Sequence, residues 1–155
     1  MTDLAEQSAE RRSRELKMIA PDLVELTPAG ARIVAGRRAD GTLVFPYPGQ
    51  SADACVRVLL APRGTLWSWT VQRFRPKSPP YVGSEGAFSP YLVGYVEFPE
   101  GLIVEGRIAA RADRDELRVG QAMEVTIATL FADAAGEPVH LFAFRPPDLV
   151  AQEGD

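Results

Sequence analysis

Residues 102–110 read LIVEGRIAA and alternate between an apolar face and a charged one. Val104 and Ile108 fall on one side of an extended chain, and Glu105 falls on the other, as in a strand with one buried face. Residues 123–131, MEVTIATLF, repeat this pattern. The period of two predicts strands that cover a core with one face only.

Six runs of this kind follow one another in the second half of the chain, separated by turn signals that contain Gly, Pro or Asp. They cover residues 56–60, 65–74, 91–98, 102–109, 123–131 and 139–144. Five or six short strands with little helix match a small closed barrel better than a sandwich, and the oligonucleotide/oligosaccharide-binding (OB) barrel has this design. We expect a mainly β fold with a five-stranded OB-fold barrel over residues 63–147 and a flexible tail over 148–155.

The first part of the chain has a different character. Residues 3–18 contain no Gly or Pro and are rich in helix formers, which predicts a helix with a thin apolar face. Pro21 could begin a further helical turn over residues 21–26, so that residues 1–29 form a helical arm. Residues 30–62 indicate short strands, with a hairpin turn at Asp40-Gly41.

Composition narrows the function classes. The chain has 155 residues, is 46% apolar and 25% charged, and carries a net charge of −4, which disfavours binding to a phosphate backbone. Cys55 is the only cysteine, so neither an internal disulfide nor a multi-cysteine zinc site is available. The sequence shows no signal peptide and no apolar stretch of membrane-spanning length, so we expect a cytoplasmic protein that does not bind membranes.

Catalytic motifs are missing from the sequence. His140 is the only histidine, and it lies within a strand pattern; Cys55 is best interpreted as a small buried thiol. No nucleophile elbow, phosphate-binding loop or dinucleotide fingerprint is present. We therefore expect a chain without catalytic residues that is not an enzyme, and a hydrolase using His140 is a minor alternative.

Aromatic and basic side chains gather around the strand at 65–74 and the loop that follows it. The candidates for ligand or partner contact are Trp67, Trp69, Arg73, Phe74, Arg75, Phe88 and Tyr91. Such side chains could stack on a base and pair with phosphate, in a nucleotide, in single-stranded nucleic acid or in coenzyme A. Alternatively, the tryptophans fill the barrel and the cations lie on its rim. Alternation puts Trp67, Trp69 and Val71 on one face and Leu66, Ser68 and Thr70 on the other, without showing which face is inward.

The loop over residues 76–90 has fifteen residues and four prolines. Loops of this length without secondary structure of their own are commonly functional. We expect this one to be a binding or docking loop.

Four motifs in co-linear order carry a family resemblance. They are RGTLWSWTV at 63–71, PYLVGYVEFPEG at 90–101, DELRVGQAMEV at 115–125 and FRP at 144–146. Together they resemble the acyl-CoA-associated OB-fold family, catalogued as domain of unknown function thirty-five. The resemblance covers about residues 30–146.

The resemblance implies an N-terminal helix, a rubredoxin-like zinc ribbon and an OB barrel. It also implies a small non-catalytic subunit that binds a thiolase-fold enzyme, such as a thiolase, an aldolase or an acyltransferase, in lipid or steroid metabolism. There the subunit helps to form the acyl-CoA site. The expected partners are a thiolase-like subunit and acyl-CoA, with homo-oligomerisation left open. An OB module that binds a nucleotide or single-stranded nucleic acid is the alternative function.

The sequence departs from the family at the zinc ribbon. Arg37 and Asp40 stand where the first pair of thiolates would be, and residues 46–50 contain no cysteine. We expect a ribbon-shaped segment over residues 30–62 without zinc or any other cofactor. In place of the metal, Arg37 and Asp40 could form an ion pair, which in an exposed position contributes only about 0–1 kcal/mol. This ribbon segment would then depend on the barrel or on a partner for support.

Overall fold

A computed structural model describes residues 4–49, 54–75, 88–112 and 115–147, with the backbone alone at residues 12–14. Within these ranges, one helix precedes nine strands. The helix is α1 (Leu4–Glu15), and the strands are β1 (Val24–Thr27), β2 (Gly30–Arg37), β3 (Leu43–Val44), β4 (Val56–Leu59), β5 (Arg63–Gln72), β6 (Tyr91–Glu97), β7 (Ile103–Ile108), β8 (Ala122–Ala132) and β9 (Pro138–Arg145). Within these residues, no helix has the length and apolar character needed to cross a bilayer.

Five strands close into a barrel in the order β5-β6-β7-β9-β8. All neighbours are antiparallel except β7 and β9, which are parallel. The mainly β fold with an N-terminal helix and a five-stranded OB barrel is therefore confirmed. The predicted tail at 148–155 and residues 76–87 of the predicted loop lie outside the described residues, and the proposed domain boundaries stay predictions.

Strand register explains which side chains fill the barrel. Leu66, Val96 and Val104 lie side by side across β5, β6 and β7, and all three are fully buried. A second inward row contains Val71, Leu92 and Ile108. Phe98, Met123 and Phe144 from the rest of the barrel complete its centre.

A β-bulge at Trp67 breaks the alternation expected of β5. Leu66 pairs with Val96, but Ser68 pairs with Tyr95, so one extra residue is inserted between them. Strands with a bulge reverse their facing pattern beyond it. The prediction that Leu66 and Val71 lie on opposite faces is therefore wrong, because both belong to the inward rows.

The predicted helical turn at 21–26 is also wrong, because part of this segment is strand β1. Val24–Thr27 pairs with the start of β2 through the turn at Pro28-Ala29. The Thr27 hydroxyl donates a hydrogen bond to the Gly30 carbonyl at 2.7 Å, and the amide of Ala29 donates to the hydroxyl oxygen at 3.2 Å. Gly30 takes the positive φ of 110° that closes the turn. This side-chain turn and the pairing with β2 outweigh the local preference for a helix.

The ribbon segment packs against the barrel. Strand β2 pairs with β3 and β4, and the turn between β2 and β3 contains Asp40 and Gly41, as predicted. The Phe45 ring meets Phe142 of β9 edge-on at 5.7 Å between ring centroids. Ile33 and Ala35 belong to the same buried cluster as the barrel residues. The barrel thus supplies support to this segment.

The chain between α1 and β1 is joined to the barrel. Met18 bridges to His140 of β9, where the amide of His140 donates to the Lys17 carbonyl at 2.8 Å and the amide of Ile19 donates to the His140 carbonyl at 2.9 Å. The Lys17 ammonium also forms an ion pair with Asp133 in the β8–β9 turn. These contacts fix the N-terminal arm along the β9 edge.

Candidate functional site

A cleft of about 610 Å³ opens where β5 ends, β6 begins and β7 ends. Its walls combine arginines with small side chains, and none of the described residues that line it is acidic. They are Arg73, Ser89, Pro90, Tyr91, Arg107, Ile108, Ala109, Ala110, Arg111, Ala112, Ala128 and Thr129. The alanines leave room, and three of the lining residues are arginines, a residue type that favours anionic ligands.

Three arginines reach the cleft from different elements. Arg73 follows β5, Arg107 lies near the end of β7, and Arg111 lies four residues further along the chain. Guanidinium groups bind phosphate and carboxylate oxygens through two parallel N–H bonds, and they hold their charge at any physiological pH. A ligand with more than one phosphate could therefore be held at several points.

Tyr91 organises one wall of the cleft. The Arg107 guanidinium carbon lies 4.1 Å from the centroid of the Tyr91 ring, which is a cation–π contact. Phe88 packs edge-on against the Tyr91 ring, with 6.0 Å between the two ring centroids. The aromatic pair supports Arg107 and limits the orientations of its guanidinium.

The residues predicted from the sequence to contact a ligand or partner do not form one site in the structure. Arg73 and Tyr91 line the cleft, and Phe88 supports it through Tyr91. Trp69 lies opposite Gly94 in an inward row, yet 40% of its surface is exposed. Phe74 and Arg75 follow β5 as exposed side chains and are not among the lining residues.

Sequence reasoning missed Arg107 and Arg111 as cleft residues. Arg107 carried a signal, because alternation put it on the charged face of its strand. Only the pairing of Val93 in β6 with Arg107 in β7 brings it beside Tyr91. No local pattern singled out Arg111.

A second feature is the outward-facing side of β5, β6 and β7, which we call the outer face. Trp67 meets Tyr95 edge-on there, with ring centroids 6.3 Å apart. The Tyr95 hydroxyl donates a hydrogen bond to the Glu105 carboxylate at 3.1 Å. This bond and the negative charge of Glu105 raise the pKa of Tyr95 above its ordinary value. Trp67 is thus neither a barrel filler nor a cleft residue.

Asp40, at one of the expected ligand positions of the ribbon segment, is engaged by Thr42. The Asp40 carboxylate accepts hydrogen bonds from the Thr42 amide at 3.0 Å and the Thr42 hydroxyl at 2.7 Å, which lower the pKa of Asp40. The predicted Arg37–Asp40 ion pair is wrong, because Asp40 instead caps the turn with Thr42. In the described part of the chain, no three His, Cys, Asp or Glu side chains gather as metal ligands do.

Apolar packing fills the middle of the ribbon segment. A Cβ atom on Gly36 would lie 2.4 Å from Cys55 Sγ, 3.0 Å from the Tyr47 ring and 3.2 Å from Val44. Cys55 is buried, and the Tyr47 hydroxyl reaches its carbonyl at 3.5 Å. A lone thiol in such surroundings does not fit the tetrahedral sites that hold structural zinc.

His140 and Cys55 belong to different parts of the fold, since His140 lies in β9 and Cys55 lies in the ribbon segment, just before β4. His140 pairs through its backbone with residues 17–19, and its Nδ1 lies 3.4 Å from the Thr129 hydroxyl. Cys55 faces Gly36 in the ribbon segment. These positions support structural roles for both side chains.

Comparison with known proteins places the barrel in context. The family model described as the ChsH2 C-terminal OB-fold domain matches residues 57–128. The benzoylsuccinyl-CoA thiolase subunit BbsA of Thauera aromatica is 27% identical over 138 residues, which cover 84% of this chain and 89% of BbsA. A solved structure described as the Ltp2-ChsH2(DUF35) aldolase is 28% identical, with a TM-score of 0.48, over 74% of this chain and 84% of its own. The family resemblance predicted from the four motifs is confirmed, and the match to the family model begins at β4, after most of the ribbon segment.

Proposed function

We propose, from the match of residues 57–128 to the ChsH2 C-terminal OB-fold domain, that this chain is a non-catalytic subunit of a thiolase-fold enzyme and helps to form its acyl-CoA site. The observation that carries the proposal is the similarity to a thiolase subunit along nearly the whole of both chains. A shared barrel alone would support many functions, because OB folds bind diverse ligands. Similarity over both the barrel and the N-terminal half supports a shared role as a subunit.

The cleft supports the acyl-CoA part of the proposal. Coenzyme A carries phosphate groups at one end and a slender pantetheine arm at the other. Arg73, Arg107 and Arg111 would hold the phosphates, since charge-assisted hydrogen bonds from guanidinium groups are stronger than neutral ones. The alanine-lined part of the cleft between β7 and β8 would leave a path for the narrow arm.

In this proposal the thiolase-fold subunit catalyses the reaction. The described residues bring together cations and aromatic rings in the cleft, which suits binding and orientation of an anion. The chain would raise the rate by holding the acyl-CoA where the thiolase-fold subunit can act on it, since positioning alone lowers a barrier substantially.

We further propose that the ribbon segment is stable without zinc. The packing of Cys55, Tyr47 and Val44 around Gly36 and the contact of Phe45 with Phe142 would replace the metal. Elemental analysis of the purified chain should find no zinc, and its melting temperature should be unchanged by a chelator. One zinc per chain with a loss of several degrees on chelation would contradict this.

The experiment for the main proposal is a titration with coenzyme A of the chain, of the thiolase-fold subunit and of the two together. We expect the mixture to bind more tightly than either protein alone. Arg73→Gln and Arg107→Gln in this chain should each weaken binding to the mixture by about tenfold or more, the cost of one or two charge-assisted bonds.

Arg38→Gln is the matched control, because it removes the same charge from the exposed β2–β3 turn. It should leave the affinity for coenzyme A unchanged. Equal effects of all three substitutions, or no effect of any, would contradict a phosphate-binding role for the cleft.

A further inference from the structure

The outer face consists of three rows of neighbouring side chains across β5, β6 and β7. The rows are Thr65, Glu97 and Ile103; Ser68, Tyr95 and Glu105; and Thr70, Val93 and Arg107. Trp67 is the bulged residue next to the second row. As the inserted residue, Trp67 has no paired residue on β6, and its exposed ring contacts Tyr95 of the second row.

This face is more apolar than the solvent side of an antiparallel sheet normally is. Trp67 is 56% exposed, Tyr95 39% and Ile103 37%. Val119 is 67% exposed and precedes Gly120 in a turn. The Gly120 amide donates a hydrogen bond to the carbonyl of Leu66, the residue before Trp67, so this turn is joined to β5 beside Trp67. Contiguous exposed apolar side chains mark interaction surfaces, and tryptophan and tyrosine carry much of the binding energy at protein interfaces.

Within these three rows the charges are mostly negative, and the outward-facing Arg63 at the start of β5 is paired with Glu124 of β8. Glu97 and Glu105 are exposed and face outward, while Arg107 lies at the end nearest the cleft and is partly covered by Tyr91. Two copies of this face pressed together would set four carboxylates against two guanidinium groups. That balance disfavours a second copy of this chain and favours a partner with lysine or arginine around an apolar centre.

The outer face runs continuously into the cleft. Arg107 belongs to the third row and also lines the cleft, and Tyr91 lies two residues before Val93 on the same side of β6. A subunit that shares a ligand in the cleft must approach along its rim. The outer face is the apolar part of that rim.

From these observations we infer that the outer face, centred on Trp67 and Tyr95, is the surface that binds the thiolase-fold subunit. The inference rests on the proposed function and adds to it the interface and its chemistry. The matching patch on the partner is apolar at its centre and carries basic side chains opposite Glu97 and Glu105.

The test measures the dissociation constant between this chain and the thiolase-fold subunit, each expressed and purified separately. Trp67→Ala should weaken binding about thirtyfold or more, the usual effect of losing an aromatic hot spot. Glu97→Lys should weaken it several-fold and more strongly at low salt, because charge complementarity is screened by salt. Neither side chain is buried, so both variants should keep the melting temperature of the parent.

Two control variants change similar side chains elsewhere. Val56→Ala removes an exposed apolar side chain from β4, and Glu137→Lys reverses a charge in the β8–β9 turn. Both should bind as the parent does. The inference is overturned if the parent binds the partner and Trp67→Ala and Glu97→Lys bind it equally well.

Failure of the proposed function gives a different result. If the parent chain does not bind the thiolase-fold subunit at all, the proposed function and this inference both fall. If Trp67→Ala instead dissociates a homodimer of this chain, the face binds a second copy and the inference is wrong.

Discussion

The guanidinium carbon of Arg107 lies 4.1 Å above the Tyr91 ring, at the point where the cleft meets the outer face. Arg107 and Tyr91 come from neighbouring strands, so the contact depends on the register between β6 and β7. A shift of one residue would turn the side chains of the shifted strand toward the barrel interior and separate Arg107 from Tyr91. The geometry of the barrel therefore sets the geometry of the cleft.

The energy of this contact can be measured with a double-mutant cycle. We expect Tyr91→Leu and Arg107→Met to show a coupling of about 0.5–1 kcal/mol in the free energy of unfolding, the range for an exposed cation–π pair. Urea denaturation of the parent, both single variants and the double variant gives this value. Additive effects within about 0.3 kcal/mol would show that the contact contributes nothing.

Gly36 should be difficult to replace. Gly36→Ala should lower the free energy of unfolding by about 1–3 kcal/mol, because the new methyl group would overlap Cys55 Sγ. Cys55→Ala in the same chain should recover part of this loss by removing the sulfur. Thermal and urea unfolding of the two variants and their combination provide the test, and a neutral Gly36→Ala would contradict the packing described for the ribbon segment.

The Lys17–Asp133 pair predicts how stability depends on pH. The hydrogen bond from the Lys17 ammonium, with those from the amides of Glu137 and Ala135, lowers the pKa of Asp133. Its contribution is therefore present above about pH 4, the pKa in the unfolded chain, and is lost as the pH falls through the lower pKa of the folded state. The same bond raises the pKa of Lys17, whose contribution is complete below the ordinary value of 10.5 and is lost as the pH rises through the higher folded value.

Asp133→Asn tests the acid side of this dependence. The melting temperature of the variant should lie below that of the parent between about pH 5 and 9, and the difference should shrink below pH 4, where the parent loses the same charge. A constant difference from pH 3 to pH 7 would mean that the ionised pair does not contribute.

Glu124 connects three neighbouring strands of the barrel. Its carboxylate accepts a hydrogen bond from Arg145 Nε at 2.5 Å and lies 3.5 Å from Arg63 Nη2. Glu124→Gln should lower the free energy of unfolding by about 1–2 kcal/mol, since Glu124 is only 20% exposed and its charge is shared by two cations. Glu97→Gln on the outer face is the control and should stay within about 0.5 kcal/mol of the parent.

Local patterns predicted the barrel strands because most of them cover a core with one face. The pattern of residues 102–110 and 123–131 placed Val104, Ile108 and Met123 on the buried side, and the structure agrees. Strand β1 was mistaken for a helical turn because its four residues fold through pairing with β2 and through the Thr27 side chain. Neither contact can be read from local propensity.

The candidate site was predicted only in part, for a similar reason. Sequence proximity grouped Trp67, Trp69 and Arg73 around one strand, but the bulge and the register separate them onto an outer face, an inward row and a cleft. Arg107 reaches the cleft from β7 and Arg111 from the chain just after β7, both far along the sequence from Arg73. Sites built across strands need the pairing, which a single sequence does not contain.

The central claim is that this chain is a subunit of a thiolase-fold enzyme. The most direct measurement is the mass, by size-exclusion chromatography with light scattering, of an equimolar mixture of this chain and a thiolase-fold protein from the same organism. At micromolar concentration we expect one peak whose mass contains both chains. Two separate peaks for the parent proteins, each with the mass that it has alone, would contradict the claim.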